Sequence, residues 1–165
     1  MDLVTLARSL ERKQFIAECP FPLLLAVNEA VPSSEDLFPD EFVTQSLKRP
    51  PDPPAMQAAR DPVLYAVRKV HTLLPHGIVL GRTESCDIVI QDRAVSKAHA
   101  LFQEIDGKWS LSDLGSRNGT HVGHHKAVPR GAALQLTYGD VLAFAFRTFY
   151  FLDSGSAWDK IRGRK

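Results

Sequence analysis

The chain has 165 residues, 44% of them hydrophobic, two cysteines and a formal net charge of +1. That length suits one domain with an extension, and that apolar fraction can fill a core. A nearly neutral chain excludes nucleic acid and an anionic membrane as obvious partners of the whole molecule, and no stretch approaches the roughly 18 apolar residues of a membrane span.

Met1-Asp2-Leu3 opens no basic-then-apolar leader, so no signal peptide is expected, and the expected compartment is the cytoplasm. Cys19 and Cys86 form no Cys-x-x-Cys, which favours two free thiols over a disulfide. Residues 2–18 read as a helix: Leu3, Leu6, Ala7 and Leu10 recur at helical spacing, charged residues supply the outer face, and Pro20 and Pro22 end it. Phe21 to Val27 is an apolar run, expected to dock on the folded domain as an added strand or a buried extended segment. The alternative is an exposed contact for a partner or a second copy.

Residues 28–61 turn acidic (Glu29, Glu35, Asp36, Asp40, Glu41) and then Pro-rich (Pro50, Pro51, Pro53, Pro54), the composition of a linker. A phosphorylated Thr44 docking into a binding site is a less favoured idea for this stretch. Charge divides the chain at the same place. Residues 1–61 carry 6 basic and 10 acidic side chains, net −4, and residues 62–165 carry 14 and 9, net +5. From Val63 the pattern is many short strands separated by turn signals, with a hairpin turn at Asp106-Gly107 and two apolar strands within Val141 to Leu152, joined around Arg147-Thr148. Closely spaced strands without a convincing helix predict a β-sandwich. The tail from 153 to 165 is basic and is expected to be solvated, with Trp158 capping the sandwich.

Two pieces carry the chemistry. Ile78-Val79-Leu80 reads as a strand that ends in Gly81-Arg82, and a polar loop from Gln91 delivers Ser96, Lys97 and His99 before the next strand. Asp113 to Thr120 contains an Asn118-Gly119 turn between strands. Guanidinium forks and a hydroxyl on rigid strand ends suit a tetrahedral anion.

The spacing resembles the forkhead-associated (FHA) domain, a phosphothreonine reader: Gly81-Arg82, then Asp87-Ile88-Val89-Ile90, then Ser96-Lys97-Ala98-His99, then Asn118-Gly119-Thr120. The resemblance covers roughly residues 62 to 152. It implies an all-β, FHA-type β-sandwich of about 10–11 strands, preceded here by a short N-terminal helix (1–27, with the apolar segment) and the acidic, Pro-rich extension (28–61). It also implies that Arg82 and Ser96 bind phosphate, that Asn118 bonds the peptide backbone, and that Lys97 and Arg117 add donors. Arg93, Ala94 and Val95 then form a candidate selectivity loop, while Gly81, His99, Gly119 and Thr120 are structural.

The competing chemistries are weaker. His121, His124 and His125 cluster, but no Cys or carboxylate stands beside them, so no metal is expected. Ser96, His99 and Asp113 supply the residue types of a hydrolase triad without a Gly-x-Ser-x-Gly elbow. The Gly-Lys-Ser/Thr signature of a nucleotide loop is absent. The expectation is therefore a non-enzymatic adaptor without cofactor, binding a phosphothreonine protein made by a Ser/Thr kinase, with no nucleic acid partner and no membrane span. The alternative is a phosphate-independent assembly protein that works through the Phe21–Val27 segment. The sequence does not set the oligomeric state.

Overall fold

The computed structural model describes residues 2–27, 62–71, 74–123 and 126–163. The linker with Thr44, and His124 and His125, lie outside the described residues.

Eleven strands among the described residues form two packed sheets. The first holds β1 (Leu23–Ala26), β2 (Leu64–Ala66), β7 (Thr120–Val122), β8 (Lys126–Ala127), β10 (Val141–Phe144) and β11 (Arg147–Leu152), in the order β2-β1-β11-β10-β7-β8. The second holds β3 (Ile78–Gly81), β4 (Ile88–Val89), β5 (Ala100–Ile105), β6 (Lys108–Asp113) and β9 (Ala133–Leu136), in the order β4-β3-β5-β6-β9. The expected β-sandwich is thus present, with the expected number of strands. Asp106 (φ 52°) and Gly107 (φ 73°) make the expected tight hairpin turn between β5 and β6.

The inner faces meet in one core. Alternate residues of each strand point inward: Leu80, Phe102, Leu111, Leu142, Phe144, Phe149 and Phe151 all lie within it. Aromatic rings pack edge-on and offset there, Phe102 against both Phe144 and Phe151.

A third layer covers the outer face of the first sheet. It comprises α1 (Leu3–Ser9), α2 (Arg12–Glu18) and α3 (Ser154–Ile161). This layer explains the apolar run at Leu23-Leu24-Leu25. Leu24 enters the sandwich core, while Leu23 and Leu25 enter the helical cluster with Val4, Ala7, Phe15, Ala157 and Trp158. A strand buried on both faces reads as continuously apolar rather than alternating. The segment is therefore inside the molecule, paired with β2 on one side and β11 on the other.

Three local details differ from the sequence reading. The helix expected over 2–18 is two helices, because Leu10 is extended (φ −98°, ψ 150°) and Glu11 begins a second capping box with Gln14. The break brings both Ala7 and Phe15 onto the sheet. The tail is a helix over most of its length, with the Asp153 carboxylate accepting from Ser156 N at 2.9 Å, and Trp158 fills the layer between helices and sheet, where its Nε1 donates to Leu10 O at 3.0 Å. The β10–β11 turn sits at Ala145-Phe146, two residues before the expected place, with Ala145 at φ 55°.

Candidate functional site

Two loops meet at one end of the sandwich. The first, residues 91–99, leaves β4 and enters β5. The second, residues 114–119, leaves β6 and enters β7.

His99 joins them. Its ring is fully buried, its Nδ1 accepts from Ser96 N at 3.1 Å, and its Nε2 lies 2.9 Å from the Gly119 carbonyl of the other loop. A carbonyl only accepts, so Nε2 carries the proton and the imidazole is neutral. Burial agrees, pulling the His99 pKa below its ordinary value. His99 is thus placed as an organiser of the loops. The same bonds leave no hydrolase triad: Ser96 Oγ accepts from Arg117 N at 3.0 Å, and Asp113 turns its carboxylate into the second loop.

Asp113 holds that loop. One carboxylate oxygen accepts from Gly115 N and Ser116 N (2.8 and 2.7 Å), the other from Ser116 Oγ and Thr120 Oγ1 (2.5 and 2.6 Å). Burial opposes its charge, but these donors outweigh burial and hold the carboxyl below the usual range. Ser116 Oγ in turn accepts from Gly119 N at 3.0 Å, and Gly119 takes φ 83°. Thr120 is thereby tied to Asp113, and Gly119 to Ser116.

Gly81 sits directly under the first loop. A Cβ built on it would lie 2.2 Å from the Lys97 carbonyl oxygen. That carbonyl also accepts from Thr83 Oγ1 at 3.0 Å and from the buried thiol of Cys86 at 3.1 Å, which fixes the main chain beside Ser96. Both cysteines are free and buried.

The expected ligand-facing residues surround this frame. Arg82 is half-buried at the end of β3, its Nη1 reaching Arg93 O at 3.5 Å. Asn118 Nδ2 donates to Ala94 O at 2.8 Å. Ser96 is half-buried, and Lys97, Arg117 and Arg93 are exposed. Among the described residues, no carboxylate makes an ion pair with Arg93, Lys97 or Arg117; the pairs found there join Arg12 to Asp159, Lys69 to Asp87 and Arg147 to Asp92. The loops thus present cations not neutralised by those carboxylates. Of the candidate selectivity residues, Ala94 is half-buried, and Val95 is 1% exposed and packs in the sandwich core.

Sequence reasoning missed three parts of this frame: Asp113 as a loop organiser, the Thr83–Cys86 cradle for Lys97, and the Arg147–Asp92 pair. For the first the signal was a carboxylate standing two residues before Gly115-Ser116; Arg147 stands out inside an apolar run, but nothing local names its partner. Of the His121–His124–His125 cluster only His121 is described, and among the described residues no group of three metal-ligating side chains gathers. No helix among them is long and apolar enough to cross a membrane.

Comparison with known proteins points the same way. The family model of the FHA domain matches residues 78–145. The oxoglutarate dehydrogenase inhibitors of Corynebacterium glutamicum and Corynebacterium diphtheriae are each 34% identical over 70 residues, 42% of this chain and 47% of theirs, so the match spans about half the length of these relatives. Among solved structures, an FHA domain from Chlamydia trachomatis superposes with a TM-score of 0.51 at 18% identity, covering 80% of this chain and 96% of that one. EmbR of Mycobacterium tuberculosis, solved with a low-affinity phosphopeptide, is 31% identical with a TM-score of 0.43, covering 47% of this chain and 20% of that one.

Proposed function

We propose that this chain, whose residues 78–145 match the family model of the FHA domain, is a non-catalytic adaptor that binds a partner through a phosphothreonine. The observation that carries this reading is that Ser96, Lys97, Arg117 and Asn118 stand on two loops joined through a neutral His99, with Arg82 at the end of β3 reaching the Arg93 carbonyl of the first loop.

A phosphothreonine brings about −1.5 to −2 charges and three acceptor oxygens. In the proposed assignment the Arg82 guanidinium and the Ser96 hydroxyl take the phosphate, Lys97 and Arg117 supply further positive charge, and Asn118 bonds the peptide main chain. The hydroxyl proton of Ser96 is available for this, because among the described residues its oxygen is engaged only as an acceptor of Arg117 N. Recognition of phospho-motifs by arginine-bearing sites is a recurring mode, and FHA domains are among its known users. Arg93 and Ala94 read the neighbouring peptide residues, while Val95 anchors the loop to the core.

The phosphate comes from a Ser/Thr kinase acting on the partner in the cytoplasm, a compartment that the two buried free thiols suit. The curated relatives carry the name of an inhibitor of an enzyme rather than of an enzyme, which supports a regulatory, non-catalytic role. The proposed division of the chain is an N-terminal helical and apolar segment (1–27) whose β1 joins the first sheet, a linker (28–61), the FHA domain (62–152) and a C-terminal segment (153–165).

The test is capture from a degenerate phosphothreonine peptide library by wild type and Arg82→Ala. Breaking a desolvated charge pair costs roughly 2–5 kcal/mol, so Arg82→Ala is expected to weaken binding about 30-fold or more. Equal binding by both proteins, or to the unphosphorylated library, would sink the reading.

A further inference from the structure

Arg147 is an arginine in an otherwise apolar and aromatic run, Val141 to Leu152. It opens β11 on the first sheet, yet its Nε donates to Asp92 Oδ2 at 2.6 Å in the loop carried by the second sheet, 55 residues away in sequence. The other oxygen of Asp92 accepts from Ala94 N at 2.9 Å. The carbonyls of Arg93 and Ala94 then receive Arg82 Nη1 and Asn118 Nδ2. The same turn also reaches the second loop, where Ala145 N donates at 3.0 Å to the Gly119 carbonyl that faces His99 Nε2. Residues 145–147 thus contact both binding loops, the first from the opposite sheet and the second beside β7, the strand that pairs with β10 in the same sheet. Burial works against the Asp92 charge, but Ala94 N and Arg147 outweigh it and keep this carboxyl below its ordinary pKa, so the clasp is ionised at neutral pH.

We propose that Arg147 is a positioning residue for ligand selectivity: by gripping Asp92 it fixes the Arg93-Ala94 segment that reads the peptide beside the phosphothreonine, without touching the ligand itself. The proposal rests on the phosphothreonine reading above. It assigns a role to an arginine that is not among the site residues read from the sequence.

A double-mutant cycle tests it, with titrations of a preferred phosphothreonine peptide and a degenerate library against wild type, Arg147→Met, Asp92→Asn and the double variant. Arg82→Ala serves as reference, and melting temperatures identify any variant that fails to fold. Each single change is expected to weaken the preferred peptide roughly fivefold or more, and the double variant is expected to be no weaker than the worse single one, since the two residues act as a unit. The library preference beside the phosphothreonine flattens, while preference for phosphorylated over unphosphorylated peptide persists. A purely structural pair would lower the melting temperature and leave that preference intact, which overturns the proposal. Tighter binding by Asp92→Asn also overturns it, because a direct charge contact by Arg147 predicts that result. Unchanged binding by Arg147→Met with loss in Arg82→Ala removes the clasp alone. Unchanged binding by Arg82→Ala removes the phosphothreonine reading, and the clasp with it.

Discussion

A protonated His99 has no lone pair at Nδ1 to accept the Ser96 amide, so protonation must break one of the two bonds that join the loops. Burial lowers its folded pKa below the ordinary value of 6.5. Between those two values the unfolded chain binds more protons than the folded one, so stability rises with pH. The contribution is full above about 6.5 and is lost as the pH falls through the folded value. His121, also lowered by burial, adds with the same sign in the same window. The lowered carboxyls Asp87, Asp92, Asp113 and Asp153 contribute nothing to a change there, since they lose their effect only below the ordinary 3.8. The melting temperature is therefore expected to fall between about pH 7.5 and 5; a flat profile would contradict the neutral, bridging His99. Gly81 makes a second prediction at this scale. Gly81→Ala drives a methyl into the Lys97 carbonyl, so calorimetry should find it destabilised by about 1–3 kcal/mol, with weaker phosphopeptide binding.

At the scale of elements, the second loop depends on one carboxylate. Asp113→Asn keeps one acceptor oxygen and turns an amide donor toward hydroxyls and amides that now donate to Asp113. The expected cost is about 2–3 kcal/mol in denaturant unfolding, with loss of phosphopeptide binding because the Arg117-Asn118 segment is released. Binding at wild-type strength would show that the loop holds its shape without this carboxylate. The loops were readable in the sequence as motifs, because Gly-Arg, Ser-x-x-His and Asn-Gly-Thr each have a local conformational reason to recur. Their support was not. Asp92 and Arg147 meet across two sheets, and no local pattern reports a contact 55 residues apart. The turn at Ala145-Phe146 was misplaced by two residues for a related reason: a positive φ at an alanine is imposed by the hairpin it closes, not by its own preference.

For the whole molecule, the helical layer packs in a cluster that contains none of the loop residues. The sandwich was predictable from short strands and turns, whereas the helical layer was only half visible. Leu23-Leu24-Leu25 announced burial but not that both faces were covered, and the basic ending of the chain concealed a helix whose Trp158 is 1% exposed. Trp158→Ala should therefore destabilise the fold by about 3–5 kcal/mol. The folded fraction should keep its phosphopeptide affinity, since the cavity opens in the helical layer rather than under the loops. A parallel loss of affinity at temperatures where the variant remains folded would show that the layers are coupled.

The central claim is that the loop end of this sandwich reads phosphothreonine. Its most direct measurement is a calorimetric titration of wild type with one library-selected phosphothreonine peptide, its phosphoserine counterpart and its unphosphorylated twin. The expected result is saturable binding of the phosphothreonine peptide, much weaker binding of phosphoserine, and none of the unphosphorylated chain. Equal heats for all three peptides, or none for any, would contradict it.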